Sequence, residues 1–263
     1  MLEISDPSAF GGFIAVAMFL GILVALRFGR WIGRRSIARH GAAGLSNVSS
    51  LETAVFALLG LLIAFTFSGA LTRFDARRAQ AVDEANAIGT AWLRVDLLPD
   101  AVQPQMRESF RKYVDSRIAT YKKIDDIDAA RAEVARSQQL QSELWSQAVA
   151  AVKRPDARPG ADLLVIPALN AMFDITTVRI VATQLHPPLI INWMLIGFAL
   201  AAALLAGYQV AGEKGFTWLQ KIGFAAIISL TIYVILDMEY PRRGLIRIDA
   251  IDQVLVNQRA AMR

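Results

Sequence analysis

Polar and apolar positions divide this chain into blocks. No charged residue falls between Pro7 and Leu26, between Thr53 and Thr72, or between Pro187 and Gly212. A fourth apolar run, Phe216 to Leu236, is interrupted only by Lys221, close enough to one end for its ammonium to reach the headgroups. As a helix, each run is long enough to cross a hydrocarbon core of about 30 Å. The pattern predicts an all-α integral membrane protein with four spans, at about 8–28, 51–72, 188–210 and 216–237.

The segment between the second and third spans alternates differently. Phe74, Val82, Ala85, Ile88, Trp92 and Val95 recur at helical spacing with charges between them. Pro99 and Pro104 mark a turn, after which Met106, Phe110, Val114, Ile118 and Tyr121 outline a second helix. "KKIDDID", Lys122 to Asp128, is a polar corner with helix-starting aspartates, and a third helix runs through Val134, Leu144, Trp145, Ala148 and Val152. "KRPDARPG", Lys153 to Gly160, reads as a loop. A last helix is expected from about Pro167 to Gln184, and "HPP", His186 to Pro188, turns it into the third span. The expected organisation is a first transmembrane pair (1–72), a helical soluble insert (73–187), a second pair (188–240) and a C-terminal tail (241–263).

No breaker separates the second span from the insert's first helix until Pro99. Read as one helix from Leu51 to Leu98, this stretch would be about 70 Å long at 1.5 Å per residue. The alternative is two helices kinked at Ser68-Gly69, because small-residue pairs bend helices. A continuous helix would couple insert to membrane, as suits a gate, a sensor or a pore wall.

Composition narrows the class. With 55% hydrophobic residues and a mean hydropathy of +0.40, the chain is too apolar for an ordinary soluble protein. The first apolar run follows Glu3 and Asp6 and precedes its positive charges, the layout of a retained anchor rather than a signal peptide. The isoelectric point near 9.7 invites a nucleic-acid reading. Between Arg73 and Pro187, however, 16 Lys/Arg face 15 Asp/Glu, so the surplus lies beside the spans as membrane-surface charge, and no nucleic-acid partner is expected. There is no cysteine, and the two histidines, His40 and His186, belong to no metal-spacing motif. No catalytic or nucleotide-binding motif appears, so neither enzymatic activity nor a cofactor is expected. In the third span Gly197, Ala201, Ala202, Ala203, Ala206 and Gly207 let helices approach closely.

Two segments stand out: "TRFDARRAQAVDEANAIGTA", starting at Thr72, and "DMEYPRRG", Asp237 to Gly244. With the two-span, helical-insert, two-span plan, they resemble the bacterial bestrophin-like membrane proteins and, more distantly, the bestrophin anion channels. Phe74, Asp75, Ala76 and Arg77 are similar to the segment that ends the long second helix of bestrophins. Asp237, Glu239, Pro241 and Gly244 are similar to the element at the exit of their fourth span. The resemblance implies a homopentamer around one pore, lined by the second span, passing inorganic anions across the bacterial inner membrane.

On that plan an apolar neck falls on Leu59, Ile63 and Phe67, spaced i, i+4, i+8; the adjacent face, Phe56, Gly60, Ala64 and Ser68, is a wider constriction. The alternative for the first stripe is contact with lipid or a neighbouring span. Arg73 and Arg77 would either concentrate anions at the pore mouth or anchor the helix at the interface. Calcium-sensing bestrophins carry an acidic run where this chain reads "RRGLIRIDAID", so no metal site is carried over. Asp237 and Glu239 are expected to cap, or to pair with Arg242 and Arg243. The alternative function is a membrane-anchored helical sensor or scaffold, against which stands a tail too short for a signalling module. Orientation divides the arguments. Arg27, Arg30, Arg34, Arg35 and Arg39 place the first connection in the cytoplasm and the insert outside, the orientation expected here, whereas the resemblance places the insert in the cytoplasm.

Overall fold

The computed structural model describes residues 7–40, 49–123, 126–212, 218–240, 245–246 and 248–262. These residues form helices and turns, with no strand among them. The helices are α1 (Pro7–His40), α2 (Ser49–Arg94), α3 (Gln103–Lys122), α4 (Ile127–Val152), α5 (Ala161–Ala182), α6 (Leu189–Gln209), α7 (Trp218–Glu239) and α8 (Asp249–Ala261). Single 3-10 turns follow α2 at Val95–Leu97 and α6 at Val210–Gly212. Among the described residues, five stretches are long and apolar enough to cross a membrane: Gly12–Arg39, Ser49–Leu97, Ala161–Ala182, Leu189–Gly212 and Trp218–Glu239. The third of these, α5, falls inside the expected soluble insert.

α2 is one helix of 46 residues, about 69 Å long. Ser68 and Gly69 lie inside it without interrupting the helical hydrogen bonding, so the continuous reading holds. The chain divides into two compact units, the first comprising Met1–Phe74 and His186–Ile246, the second Asp75–Leu185 and Arg247–Arg263. α2 contributes to both.

In the first unit the helices pair through small residues. α1 and α6 run in the same direction, with Gly21 against Leu200, Gly29 against Leu204 and Tyr208, and Gly33 against Tyr208 and Ala211. A Cβ at Gly29 would collide with the Leu204 carbonyl, and one at Gly207 with the Leu26 carbonyl. The Gly29-x-x-x-Gly33 spacing brings the two backbones into contact, as small residues do where lipid offers no hydrophobic drive for association. Within α6, Ala202, Ala203 and Gly207 are buried as the sequence suggested, while Gly197 and Ala201 remain exposed. α2 and α7 also run parallel, joined by an edge-to-face contact of Phe56 and Phe224 with centroids 5.9 Å apart. The core of this unit gathers Met18, Ile22, Leu26, Leu59, Leu195, Ala225, Ile232 and Ile235.

In the second unit Ile88, Leu98, Phe110, Tyr113, Leu144, Leu169 and Met172 form the core. Pro104 lies in the first turn of α3, where its missing N–H is no loss. The Asp126 carboxylate accepts from the Ala129 N–H at 2.9 Å and caps α4. Gly160 takes φ 80°, in the left-handed region, to end the "KRPDARPG" loop and open α5. That helix begins at Ala161, a turn and a half earlier than expected, with Pro167 inside it. Chain that reads as a plain tail forms α8, whose Leu255 is fully buried in this core.

Candidate functional site

The two segments singled out in the sequence meet where α7 ends. Arg73 Nε donates to both carboxylate oxygens of Glu239, at 2.9 and 3.1 Å, and its Nη2 donates to Oε1. Glu239 is buried, while the arginine is about a third exposed. The His186 ring stacks on Tyr240 with centroids 4.7 Å apart, and its Nδ1 lies 3.9 Å from Glu239 Oε2. Two residues earlier, the Asp237 carboxylate accepts the backbone N–H groups of Leu245 at 3.1 Å and Ile246 at 2.7 Å. It therefore caps the chain that follows the span. Phe74 packs half-buried against the first unit's core. Asp75 is exposed and pairs with Arg78 at 3.3 Å. Pro241, Gly244 and the arginines Arg242 and Arg243 lie outside the described residues.

Arg77 is engaged differently. It is 7% exposed, and its guanidinium donates to the carbonyls of Ala182 and Leu185 at 3.2 Å each. The Ala182 carbonyl ends α5 and that of Leu185 follows just beyond it, and a cation there satisfies an acceptor the helix leaves open and complements its dipole. Arg73 and Arg77 are both engaged in hydrogen bonds within the chain. Their geometry makes them internal ties.

The first unit also places the residues of the expected neck. Leu59 is 1% exposed, among the core side chains of the first unit. Ile63 packs partly against the same core, and of the three only Phe67 is exposed. On α2 the face opposite Leu59 is open. It carries Ala57, Leu61, Ala64, Phe65, Ser68 and Thr72, all exposed. In the second unit α2 exposes Asp75, Asp83, Asn86 and Thr90.

One site in the second unit escaped the sequence reading. Glu84, fully buried, accepts from Arg117 Nε at 2.7 Å and from Tyr121 Oη at 3.1 Å, and also pairs with Arg179 Nη1. Arg179 reaches on to Asp252 of α8 at 3.0 Å. Burial and the Glu84 charge push the Tyr121 phenol well up, so it stays a neutral donor. A signal was present. Glu84 shares a helix face with Ala81 and Ile88, Arg117 with Phe110, Val114 and Tyr121, and Arg179 with Met172 and Thr176. A charge in phase with an apolar stripe must find a partner inside. Among the described residues, no three His, Asp or Glu side chains converge as a metal site needs.

The described residues are helical, with five helices long and apolar enough to cross a membrane, one of them 46 residues long. The chain belongs to the Bestrophin-like family, whose domain matches residues 13–251. Its structure is similar to that of a tryptophan-to-alanine variant of a bacterial bestrophin homologue from Klebsiella pneumoniae, with a TM-score of 0.68 at 10% identity over 94% of this chain and 98% of that one. A tyrosine-to-alanine variant of a bacterial bestrophin homologue from the same organism matches with a TM-score of 0.63 at 11% identity, over 91% of this chain and 99% of that one. No curated protein sequence matches the chain.

Proposed function

We propose that the chain is one subunit of an oligomeric ion channel, a pentamer on the bestrophin plan, in the bacterial inner membrane. In this reading α1, α2, α6 and α7 are the spans. α5 belongs to the soluble bundle, because its buried face carries Arg179 in ion pairs with Glu84 and Asp252.

The observation that carries the proposal is the composition of the open face of α2. A lipid-facing stripe keeps large apolar side chains throughout, as α1 does at Phe13, Val16, Leu20 and Val24. The open face of α2 passes from Leu61 and Phe65, which are 52% and 68% exposed, to Ser68 and Thr72 one and two turns on. The Thr72 hydroxyl donates back to the Ser68 carbonyl at 2.8 Å, and small side chains of this kind suit the wall of a water-filled path. Leu61 and Phe65, a turn apart, are then the constriction, and a ring of them closes the path by excluding water rather than by holding a ligand.

The side chains also bear on the sign of the ion. The arginines expected to draw anions are tied to Glu239 and to the carbonyls of Ala182 and Leu185, and Asp75 pairs with Arg78, whereas Asp83 is exposed on α2 with no ion pair among the described residues. A ring of carboxylates favours cations. Purified protein in planar bilayers under a salt gradient tests this reading. The reversal potential should lie toward the cation value and move toward zero in Asp75→Asn/Asp83→Asn. Absence of any conductance from reconstituted oligomer would remove the channel reading.

A further inference from the structure

The last third of α1 carries charge that the fold does not use. Arg27, Arg34, Arg35 and Arg39 are exposed, and none pairs with a carboxylate among the described residues. Their helix is 34 residues long, about 51 Å, well beyond the ~30 Å of a hydrocarbon core.

One exposed stripe of α1 changes character along its length. It begins apolar, with Phe13, Val16, Leu20 and Val24, all at least half exposed. It continues with Phe28 and Trp31, 50% and 46% exposed, stacked with centroids 5.6 Å apart. It ends among the arginines, where the Arg35 guanidinium sits 3.7 Å from the centre of the Trp31 ring. Acyl chain, interfacial belt and phosphate level succeed one another in this order at a bilayer surface. Trp218 at the start of α7 is 70% exposed and adds an aromatic side chain of the same kind. The glycines behind the stripe, Gly29 and Gly33, lock α1 onto α6, so the arginines stand on a fixed helix rather than on a mobile loop.

We propose that the exposed face of α1 around Arg27, Trp31, Arg34, Arg35 and Arg39 binds the headgroups of anionic phospholipids. The phosphodiester of a phosphatidylglycerol-type lipid meets the guanidiniums while its acyl chains lie along Val24 and Leu20. Arg35 is held over Trp31 and is thereby presented with little rotamer freedom left to lose. The site is independent of ion conduction.

The full chain in nanodiscs tests the proposal. The probes are phosphatidylcholine alone, phosphatidylcholine mixed with phosphatidylglycerol, and, separately, inorganic phosphate added to the detergent-purified protein. Bound lipid is counted by native mass spectrometry, and the unfolding midpoint is followed in each. The wild type should retain phosphatidylglycerol and unfold at a higher temperature in the mixed discs. Arg34→Gln/Arg35→Gln/Arg39→Gln should lose that rise and about a hundredfold in lipid affinity, with its midpoint in phosphatidylcholine unchanged. Arg34→Lys/Arg35→Lys/Arg39→Lys should keep most of the gain. The proposal is overturned if the wild type unfolds alike in both discs, if the glutamine variant keeps the rise, or if inorganic phosphate reproduces the effect in full.

Discussion

Arg73 of α2 and Glu239 at the end of α7, 166 positions apart in sequence, form an ion pair that joins the two segments standing out in the chain. The carboxylate is almost wholly buried and receives three hydrogen bonds from one guanidinium. Glu239→Gln should cost about 2 kcal/mol, the scale for charge-assisted hydrogen bonds. Arg73→Gln should cost more, because it strands a buried carboxylate. A double-mutant cycle read by thermal unfolding in detergent should give a coupling of about 1 kcal/mol or more; simple additivity would mean that the two act separately.

This pair shows where sequence reading succeeds and where it stops. Helix α2 was legible because nothing between Ser49 and Arg94 breaks helical periodicity, and Pro99 supplies a stop. The aspartates around Asp126 were legible as helix-starting residues, whereas Pro104, expected to mark a turn, lies in the first turn of α3. Which face of α2 stays open was not legible. A leucine-rich helix offers apolar stripes on several sides, and only the packing of the folded first unit assigns Leu59 to the interior and Leu61 to the open face. Arg73 and Arg77 could be placed near a membrane boundary, but their partners, Glu239 and the carbonyls of Ala182 and Leu185, lie more than a hundred residues away. Long-range pairing leaves no periodic trace.

Glu84 should be the most sensitive charged position in the second unit. Glu84→Gln leaves Arg117 and Arg179 buried against a neutral amide, and loss of one partner from a buried ion pair costs about 3–5 kcal/mol. By contrast, Arg259→Ala breaks an exposed pair with Asp115 and should cost no more than about 1 kcal/mol. Circular-dichroism melts of the two variants rank them; equal midpoints would contradict the buried network.

Close helix contact in the first unit gives a second contrast. Gly29→Ala or Gly207→Ala forces α1 and α6 apart, at about 1–3 kcal/mol for overpacking. Gly197→Ala meets nothing within 4 Å and should be neutral or stabilising, by up to about 1 kcal/mol from helix propensity. Detergent unfolding midpoints and yields of intact oligomer should separate these variants.

Acid should loosen the second unit through Glu133. Its hydrogen bond from Lys123, at 2.8 Å, does most to hold the carboxyl below its ordinary range, outweighing burial, and Ser116 and Arg136 assist. A carboxyl lower in the folded state stabilises fully above its unfolded value of about 4.3, and the gain is lost as pH falls through the folded value. Glu133→Gln should therefore be less stable than wild type near neutrality, and the two should converge on acidification. A constant difference across the acid range would contradict this.

Ion flux through two alanine variants of α2 tests the central claim most directly. Leu61→Ala/Phe65→Ala removes the side chains proposed to close the path, which stand open on the protomer, and should raise flux in liposomes while the oligomer stays intact. Leu59→Ala empties a core position, should destabilise by about 2–5 kcal/mol, and should leave flux per assembled oligomer unchanged. Equal flux in wild type and Leu61→Ala/Phe65→Ala, with the same oligomer present, would mean that the open face of α2 lines no conducting path.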